Sequence, residues 1–212
     1  MEEASDPCEL LQAMKTPETG RMTLAGIILC GGESRRMGRD KAWLPFGNET
    51  MLQRVVRIVG EVCEPVVVVA GPKQALPTLP VSTQVVRDAD EYLGPVAGSR
   101  AGLEAVSDDR PIFLCGCDMP FVSDKLIRFL AQRYRPGYAV VPVIDGVRQP
   151  LAAIYPNEVR SGTDLQSLQQ ILEKIPRVEI EEAELRQVDP DLKSFVAIND
   201  PEAYAAAEAR RG

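Results

Sequence analysis

A short apolar run near the amino end stops abruptly at two glycines, and this break constrains the fold more than any other feature. Residues 24–30 read Leu-Ala-Gly-Ile-Ile-Leu-Cys, and Gly31 and Gly32 follow directly. Apolar runs of this length are typical of buried strands, and glycine pairs end such strands in a turn. A strand that opens into a glycine turn is expected to leave backbone N–H groups unpaired and aimed outward. Because arrays of such groups bind anions, an anion site is predicted at the end of this strand.

Cationic side chains crowd the segment that follows the glycines. They are Arg35, Arg36, Arg39 and Lys41, with Gly38 among them. Arginine offers forked donors that match phosphate oxygens, and lysine adds a compact positive charge. The alternative is a simple glycine turn with a solvated basic loop. The density of cations beside the turn favours a loop that wraps a polyphosphate.

The spacing in this loop differs from both well-known phosphate-binding motifs. A Walker loop reads G-x-x-x-x-G-K-[ST], whereas Gly32 and Gly38 are spaced differently and Ala42 follows Lys41. The dinucleotide fingerprint G-x-G-x-x-G is also absent at this turn. The polyphosphate is therefore expected to be held by another type of nucleotide loop.

Charge and composition narrow the function classes. The chain has 212 residues, a formal net charge of −7 and no histidine. An acidic total argues against a general nucleic-acid-binding protein, which needs a basic face. Without histidine, Ser-His-Asp and Cys-His catalysis and histidine metal sites are excluded. Any metal is expected to be a hard cation on oxygen ligands, which favours Mg²⁺.

The cysteines and the amino end bear on the cellular compartment. The five cysteines form an odd set without the spacing of a disulfide framework, which fits a reducing compartment. Cys115 and Cys117 lie two apart on a predicted strand, so they are expected to be small buried residues on one face. The amino end is acidic where a secretory signal is basic, and no apolar run is long enough to cross a bilayer. A cytoplasmic protein without a membrane partner is expected.

Strand-like and helix-like patterns alternate from residue 22 onward. Strands are predicted at 24–30, 65–70, 84–87, 111–117, 138–144, 147–155, 177–180 and 195–198. Helices are predicted at 51–62, at 96–106, after Ser123, from a capping box of Thr163 and Gln166 through Ile171, and at 202–210. This alternation predicts an α/β fold: a mostly parallel sheet with helices on both faces and an antiparallel hairpin at Asp145 and Gly146. Residues 22–212 are predicted to form one domain, and residues 1–21 a poorly ordered extension.

Two aspartates follow the ends of predicted strands. In open sheets of this kind, ligands bind beyond the carboxyl ends of the strands, which places Gly31, Asp88 and Asp118 along one edge. Asp118 is interpreted as a Mg²⁺ ligand that bridges to phosphate, with a turn or helix cap as the alternative. Asp88 is a second candidate for such a role, and a solvated acidic loop is an alternative with at least as much support.

Four blocks of sequence together resemble the molybdenum cofactor guanylyltransferases over about residues 24–206. The blocks are Leu29-Cys-Gly-Gly with Arg35-Arg-Met-Gly-Arg-Asp-Lys41, then Gly94-Pro-Val-Ala-Gly98, Cys117-Asp-Met-Pro120 and Ile198-Asn-Asp-Pro-Glu202. The Arg-Met-Gly-x-Asp-Lys string is the most specific part, because it separates this family from generic sugar-nucleotide transferases.

The resemblance implies a Rossmann-like nucleotidyltransferase fold of the nucleotide-diphospho-sugar transferase type. It implies that Mg²⁺ and GTP bind, and that GMP is transferred to molybdopterin-bound molybdenum. Matched position by position, it implies nucleotide contacts from Leu29, Cys30, Gly31, Gly32 and Asp88, phosphate contacts from Lys41, and the metal at Asp118. Arg35 and Arg36 join Lys41 and Asp118 as the predicted catalytic set. A monomer or a weak homo-oligomer is expected.

Three departures from the family pattern leave other functions open. Cys30 stands where alanine is usual, Val69 and Ala70 stand where an asparagine often meets the nucleotide, and Gln149 replaces the histidine of a common His-Pro pair. A cytidylyltransferase for the same pterin and a nucleotidyltransferase for a sugar phosphate predict the same loop and metal. A non-catalytic nucleotide-binding subunit is the alternative from another functional class.

Overall fold

Strands and helices alternate along the part of the chain that the computed structural model describes, which is residues 23–31, 37–88, 95–107, 109–160 and 167–210. The strands are β1 (Leu24–Leu29), β2 (Pro45–Phe46), β3 (Glu49–Thr50), β4 (Cys63–Ala70), β5 (Thr83–Arg87), β6 (Ile112–Gly116), β7 (Ala139–Ile144), β8 (Val147–Arg148), β9 (Ala153–Tyr155) and β10 (Arg177–Ile180). The α-helices are α1 (Met51–Gly60), α2 (Pro95–Ala105), α3 (Asp124–Ala131), α4 (Leu168–Lys174), α5 (Glu182–Leu185) and α6 (Pro201–Ala209). Short 3-10 helices cover Lys41–Trp43, Asn157–Arg160 and Lys193–Phe195.

One mixed sheet dominates the architecture. Its strand order is β10-β7-β9-β6-β1-β4-β5, with β8 paired to β7. The pairs β1–β4, β1–β6, β4–β5 and β7–β10 are parallel, whereas β9 runs antiparallel to both β6 and β7. The strands β2 and β3 form a separate antiparallel pair.

Helices cover both faces of this sheet, as the alternating pattern predicts. On one face, α1 and α3 bury side chains such as Leu52 and Leu126 against the central strands. On the other face, α2 and α4 contribute Leu103 and Leu172 to a second cluster. Gly102 lets α2 approach closely, because a Cβ there would lie 2.7 Å from Cγ2 of Ile27. The predicted α/β class with a mostly parallel sheet is therefore confirmed.

Most predicted helix starts are confirmed by their caps. The capping box of Thr50 and Gln53 is present at the start of α1, which ends two residues earlier than predicted. The side chains of Ser123 and Asp200 cap α3 and α6. The predicted box of Thr163 and Gln166 lies outside the described residues, and α4 begins at Leu168 with Ser167 as its cap.

The predicted hairpin is correct at its turn but wrong in its second strand. Asp145 and Gly146 both have positive φ, as a two-residue hairpin turn requires. The predicted strand over 147–155 is broken into β8 and β9. The break comes at Gln149, whose N–H donates to the carbonyl of Pro142, and at Ala152, whose φ is 65°. After the break the chain turns to pair with β6, which a local pattern does not reveal.

The predicted strand at 195–198 is also wrong. Residues Lys193–Phe195 form a 3-10 helix, and the N–H of Ile198 donates to the carbonyl of Asp118 rather than joining a strand ladder. The predicted extension at 1–21 lies outside the described residues. Among the helices of the described ranges, none has the length and apolar character that a membrane span needs.

Candidate active site

The order in which strands are added to the sheet reverses at β1. From β1 it moves outward to β4 and β5, and it then returns to place β6 on the other side of β1. The pairing continues one residue past the end of β6, since the N–H of Cys117 donates to the carbonyl of Leu29 over 2.9 Å. The ends of β1 and β6 are therefore neighbours at a topological switch point, where ligands of open α/β sheets bind.

The predicted residues Lys41 and Asp118 meet at this switch point. Nζ of Lys41 lies 3.0 Å from Oδ2 of Asp118, and the two side chains are 17% and 21% exposed. Nζ also donates to Oδ1 of Asn199 over 2.7 Å. The ammonium group of Lys41 thus lies between a carboxylate and an amide oxygen, and it stays partly exposed to solvent.

Three residues of the string around Lys41 have separate structural roles. Met37 is buried in a cluster with Phe46 and Ile198, which anchors the end of the basic loop. Gly38 has a φ of 62°, a conformation that L side chains rarely adopt. Asp40 caps the 3-10 helix by accepting from the N–H of Ala42, so Lys41 begins that helix.

Gln74 joins three segments behind the loop. Its Nε2 donates to both carboxylate oxygens of Asp40 at 3.0 Å and to the carbonyl of Cys30 at 3.3 Å. Its Oε1 accepts from the N–H of Gly71. This side chain fixes the carboxylate that caps the helix of Lys41 against the ends of β1 and β4. Residues after β4 carry no periodic pattern, so sequence reasoning missed Gln74.

Asn199 is the second residue that sequence reasoning missed. The N–H of Ile198 donates to the carbonyl of Asp118 over 2.8 Å, which brings the carboxyl-terminal segment to the end of β6. Asp200 then caps α6 by accepting from the N–H of Ala203. The Asn-Asp-Pro string indicates a helix start, but only the tertiary contact reveals that Asn199 binds Lys41.

The glycine turn differs from the prediction in its described part. The N–H groups of Cys30 and Gly31 both donate to the carbonyl of Val69, at 2.8 and 3.2 Å. They are therefore paired rather than aimed outward, because the chain keeps its contact with β4 just past the strand. Gly31 itself is exposed to solvent. Gly32 lies outside the described residues.

The other predicted residues are placed as follows. Asp88 follows β5, and its Oδ2 lies 3.9 Å from the position that a Cβ on Gly98 would take. That same position is 3.4 Å from Cδ2 of Leu29, so Asp88 and Leu29 border one point of the sheet edge. Arg35 and Arg36 lie outside the described residues.

The cysteines of the described residues are buried free thiols, as predicted for Cys115 and Cys117. Both lie in the cluster on the α1 and α3 face. Burial raises the pKa of Cys115, and a hydrogen bond with Cys30 together with burial raises the pKa of Cys117. The two thiols therefore stay protonated and apolar.

A family model named the MobA-like NTP transferase domain matches residues 26–183. The chain belongs to this family. It is 44% identical over 153 residues to a probable molybdenum cofactor guanylyltransferase of Mycobacterium tuberculosis, an overlap of 70% of this chain and 74% of the relative. A relative of the same name from Mycobacterium ulcerans is 42% identical over 152 residues, which cover 69% and 75% of the two chains. The resemblance to molybdenum cofactor guanylyltransferases and the assignment as a nucleotidyltransferase are thereby confirmed.

Solved structures share the fold of this family member. Molybdopterin-guanine dinucleotide biosynthesis protein A from Archaeoglobus fulgidus matches with a TM-score of 0.71 and 21% identity, over 88% of this chain and 98% of that one. The 2-C-methyl-D-erythritol 4-phosphate cytidylyltransferase from Thermus thermophilus matches with a TM-score of 0.64 and 21% identity, over 90% and 99%. One of these proteins is named for guanine dinucleotide biosynthesis and the other is a cytidylyltransferase, so the fold alone does not show which nucleotide base is bound.

Proposed function

We propose that this nucleotidyltransferase transfers GMP from GTP to the molybdopterin cofactor, releasing pyrophosphate in a Mg²⁺-dependent reaction. The observation that carries the proposal is the contact between Lys41 and Asp118 at the switch point of the sheet. We propose the guanylyl group and the acceptor by analogy with a relative at 44% identity that is named a probable molybdenum cofactor guanylyltransferase.

The reaction needs little proton chemistry from the protein. The terminal phosphate of molybdopterin is already ionised at neutral pH, so it attacks the α-phosphorus of GTP without a general base. The new O–P bond forms as the bond to the β-phosphate breaks, and pyrophosphate carries away the electron pair. Positioning and charge neutralisation dominate such transfers. The absence of histidine from the sequence is therefore no obstacle.

Lys41 is suited to the triphosphate by its remaining hydrogen-bonding capacity. An ammonium group has three N–H donors. The contacts to Asp118 and Asn199 use two of them. The third N–H can then donate to a phosphate oxygen, while the two existing contacts hold the ammonium group in position. Arg35 and Arg36 are proposed to offset further charge on the same triphosphate.

Asp118 is suited to a metal that arrives with the nucleotide. Its Oδ2 accepts from Lys41, and among the described residues no hydrogen bond to Oδ1 is found. Mg²⁺ in nucleotide sites is typically held by one or two carboxylates, with phosphates and water as the other ligands. The lack of a group of three acidic, cysteine or histidine side chains in the described ranges is compatible with that arrangement. When bound, Mg²⁺ would polarise the phosphates and neutralise developing charge.

The nucleotide is proposed to lie along the edge formed by the ends of β1, β5 and β6. Its predicted contacts are Leu29, Cys30, Gly31, Gly32 and Asp88. Because the described N–H groups at the turn are paired with Val69, we assign most of the charge neutralisation to side chains rather than to that backbone. A cytoplasmic location and a monomeric or weakly associated state also remain predictions.

Comparison of the four nucleoside triphosphates tests the base. We expect GTP with Mg²⁺ to raise the melting temperature more than CTP, ATP or UTP, and to support pyrophosphate release with molybdopterin. A larger shift with CTP would replace this proposal by a cytidylyltransferase. Binding of GTP without any pyrophosphate release would favour a non-catalytic subunit.

A further inference from the structure

Gly116, the last residue of β6, lies under the carboxylate of Asp118. A Cβ built on Gly116 would be only 2.4 Å from Oδ1 of Asp118 and 3.5 Å from its Cγ. Real Cβ atoms essentially never approach another heavy atom below 3.0 Å. The carboxylate therefore occupies the volume that a side chain at position 116 would need.

The backbone at this position does not itself require glycine. Gly116 continues the parallel ladder opposite Leu29, in a strand. Strand backbone admits any L residue, and glycine there lowers stability because it has more conformational freedom to lose. Its presence at the buried end of β6 therefore calls for a reason in its surroundings.

Gly116 differs from other glycines in the core in the kind of atom that an added Cβ would contact. At Gly26 and Gly102, a Cβ would meet hydrocarbon atoms of Val59 and Ile27, so these glycines allow helices to pack closely on the sheet. At Gly116, the atom in the way belongs to the proposed metal ligand. The nearest other side chain is Leu151, whose Cδ1 would be 3.7 Å away, an ordinary contact.

We propose that Gly116 is a positioning residue: the absence of its side chain lets the Asp118 carboxylate fold back over the strand end, where Oδ2 meets Lys41. The effect of Gly116 on Mg²⁺ binding rests on the proposed function, whereas its effect on the position of the carboxylate does not. A methyl group at position 116 would displace the mobile end of Asp118 rather than backbone. The fold is therefore kept, while the ion pair and the metal ligand are moved.

The test compares Gly116→Ala with Gly60→Ala as a matched control. Gly60 is the last residue of α1, and a Cβ there would lie 3.8 Å from Cγ2 of Val66, an ordinary van der Waals contact. The first measurement is the ¹H–¹⁵N signal of the Lys41 ammonium in the protein without ligand, with Asp118→Asn as the reference for a lost ion pair. We expect Gly116→Ala to shift the signal toward the reference and Gly60→Ala to leave it unchanged. A wild-type signal in Gly116→Ala would overturn the inference, whatever reaction the protein catalyses.

The second measurement is the Mg²⁺ concentration that gives half-maximal pyrophosphate release. Changes next to a metal ligand typically reduce metal affinity by about tenfold or more, so we expect at least that increase for Gly116→Ala. A protein in which no triphosphate supports release would refute the proposed function, and the ammonium signal would still decide the placement. If the ammonium signal shifts but the Mg²⁺ requirement is unchanged, the effect of Gly116 on metal binding is refuted, and its effect on the position of the Asp118 carboxylate is kept.

A double variant covers the case in which Gly116→Ala does not fold. In Gly116→Ala combined with Asp118→Ala, the carboxylate that meets the methyl group is gone. We expect the double variant to melt at or above the temperature of Asp118→Ala alone. A double variant that still fails to fold would overturn the inference, because the clash would then be with something other than the carboxylate.

Discussion

The ammonium nitrogen of Lys41 lies 3.0 Å from Oδ2 of Asp118, although 77 residues separate them in the sequence. A 3-10 helix presents the lysine, and the end of β6 presents the aspartate. Both side chains are mostly withdrawn from solvent. An ion pair in such a position is weak evidence for a stabilising role, because the cost of taking two charges out of water offsets their attraction. We propose that the contact holds two opposite charges in position for a phosphate and its metal.

Replacing Asp118 by asparagine removes the proposed metal ligand with little change in shape. We expect the Asp118→Asn protein to fold, because the amide has the shape of the carboxyl group and its oxygen can still accept a hydrogen bond from Lys41. Pyrophosphate release and the Mg²⁺-dependent stabilisation by GTP should both disappear. Calorimetry with and without Mg²⁺ measures the second effect, and Asp124→Asn on the surface of α3 is the control. Turnover near that of the wild type would reject the metal assignment.

Replacing Lys41 by alanine removes the fixed cation. Loss of a single preorganised charge-stabilising group typically reduces turnover by about 10²–10³, or roughly 3–4 kcal/mol. We expect a loss of this size in pyrophosphate release by Lys41→Ala, while the exposed Lys125→Ala retains full activity. If both variants turn over equally fast, Lys41 is only a surface charge.

Replacing Asn199 by alanine leaves the ammonium of Lys41 with one fixed partner. A less firmly positioned ammonium matches the phosphate less well, and misplacement by about 1 Å can reduce a rate by about 10²-fold, so we expect turnover to fall by about tenfold or more. The loss should be smaller than in Lys41→Ala, because the cation itself remains. Steady-state kinetics decide this, with Asn48→Ala in the exposed turn between β2 and β3 as the control. Equal rates in the two asparagine variants would contradict a role for Asn199.

Sequence patterns alone predict the half of the site that depends on strand ends. The apolar run before Gly31 and the run before Asp118 each indicate a buried strand. The rule for open sheets then places both ends on one edge, which the pairing of β1 with β6 confirms. Residue type and local pattern suffice here because parallel strands share one direction.

The remainder depends on contacts between distant segments. Asn199 reaches Lys41 only because the chain returns across the end of β6 after α5, and its local signal is that of a helix start. Gln74 lies in an irregular segment and acts on Asp40 across a loop. The break at Ala152 arises because β9 pairs with β6, which overrides the alternation that predicts a continuous strand. None of these contacts leaves a periodic trace in the sequence.

Burial of Cys63 predicts a loss of stability at alkaline pH. Burial raises the pKa of this thiol from its ordinary value of 9.0 to about 12. Between these values the native state keeps the proton and unfolding releases it, so stability is full below pH 9.0 and falls toward pH 12. The slope for one such group is about 1.4 kcal/mol per pH unit.

Comparison with Cys63→Ala isolates this effect from other groups that titrate at high pH. We expect the difference in free energy of unfolding between wild type and Cys63→Ala to shrink as pH rises from about 8 to about 11. Denaturant titrations at several pH values measure it. A difference that stays constant over this interval would show that the native thiol is not held in its protonated form.

Guanylyl transfer at the switch point is tested most directly by pyrophosphate release from each nucleoside triphosphate, with Mg²⁺, in the presence and absence of molybdopterin. We predict release from GTP only when molybdopterin is present, and its loss in Asp118→Asn. Release from none of the four triphosphates, or release that Asp118→Asn leaves intact, would contradict the assignment of this site.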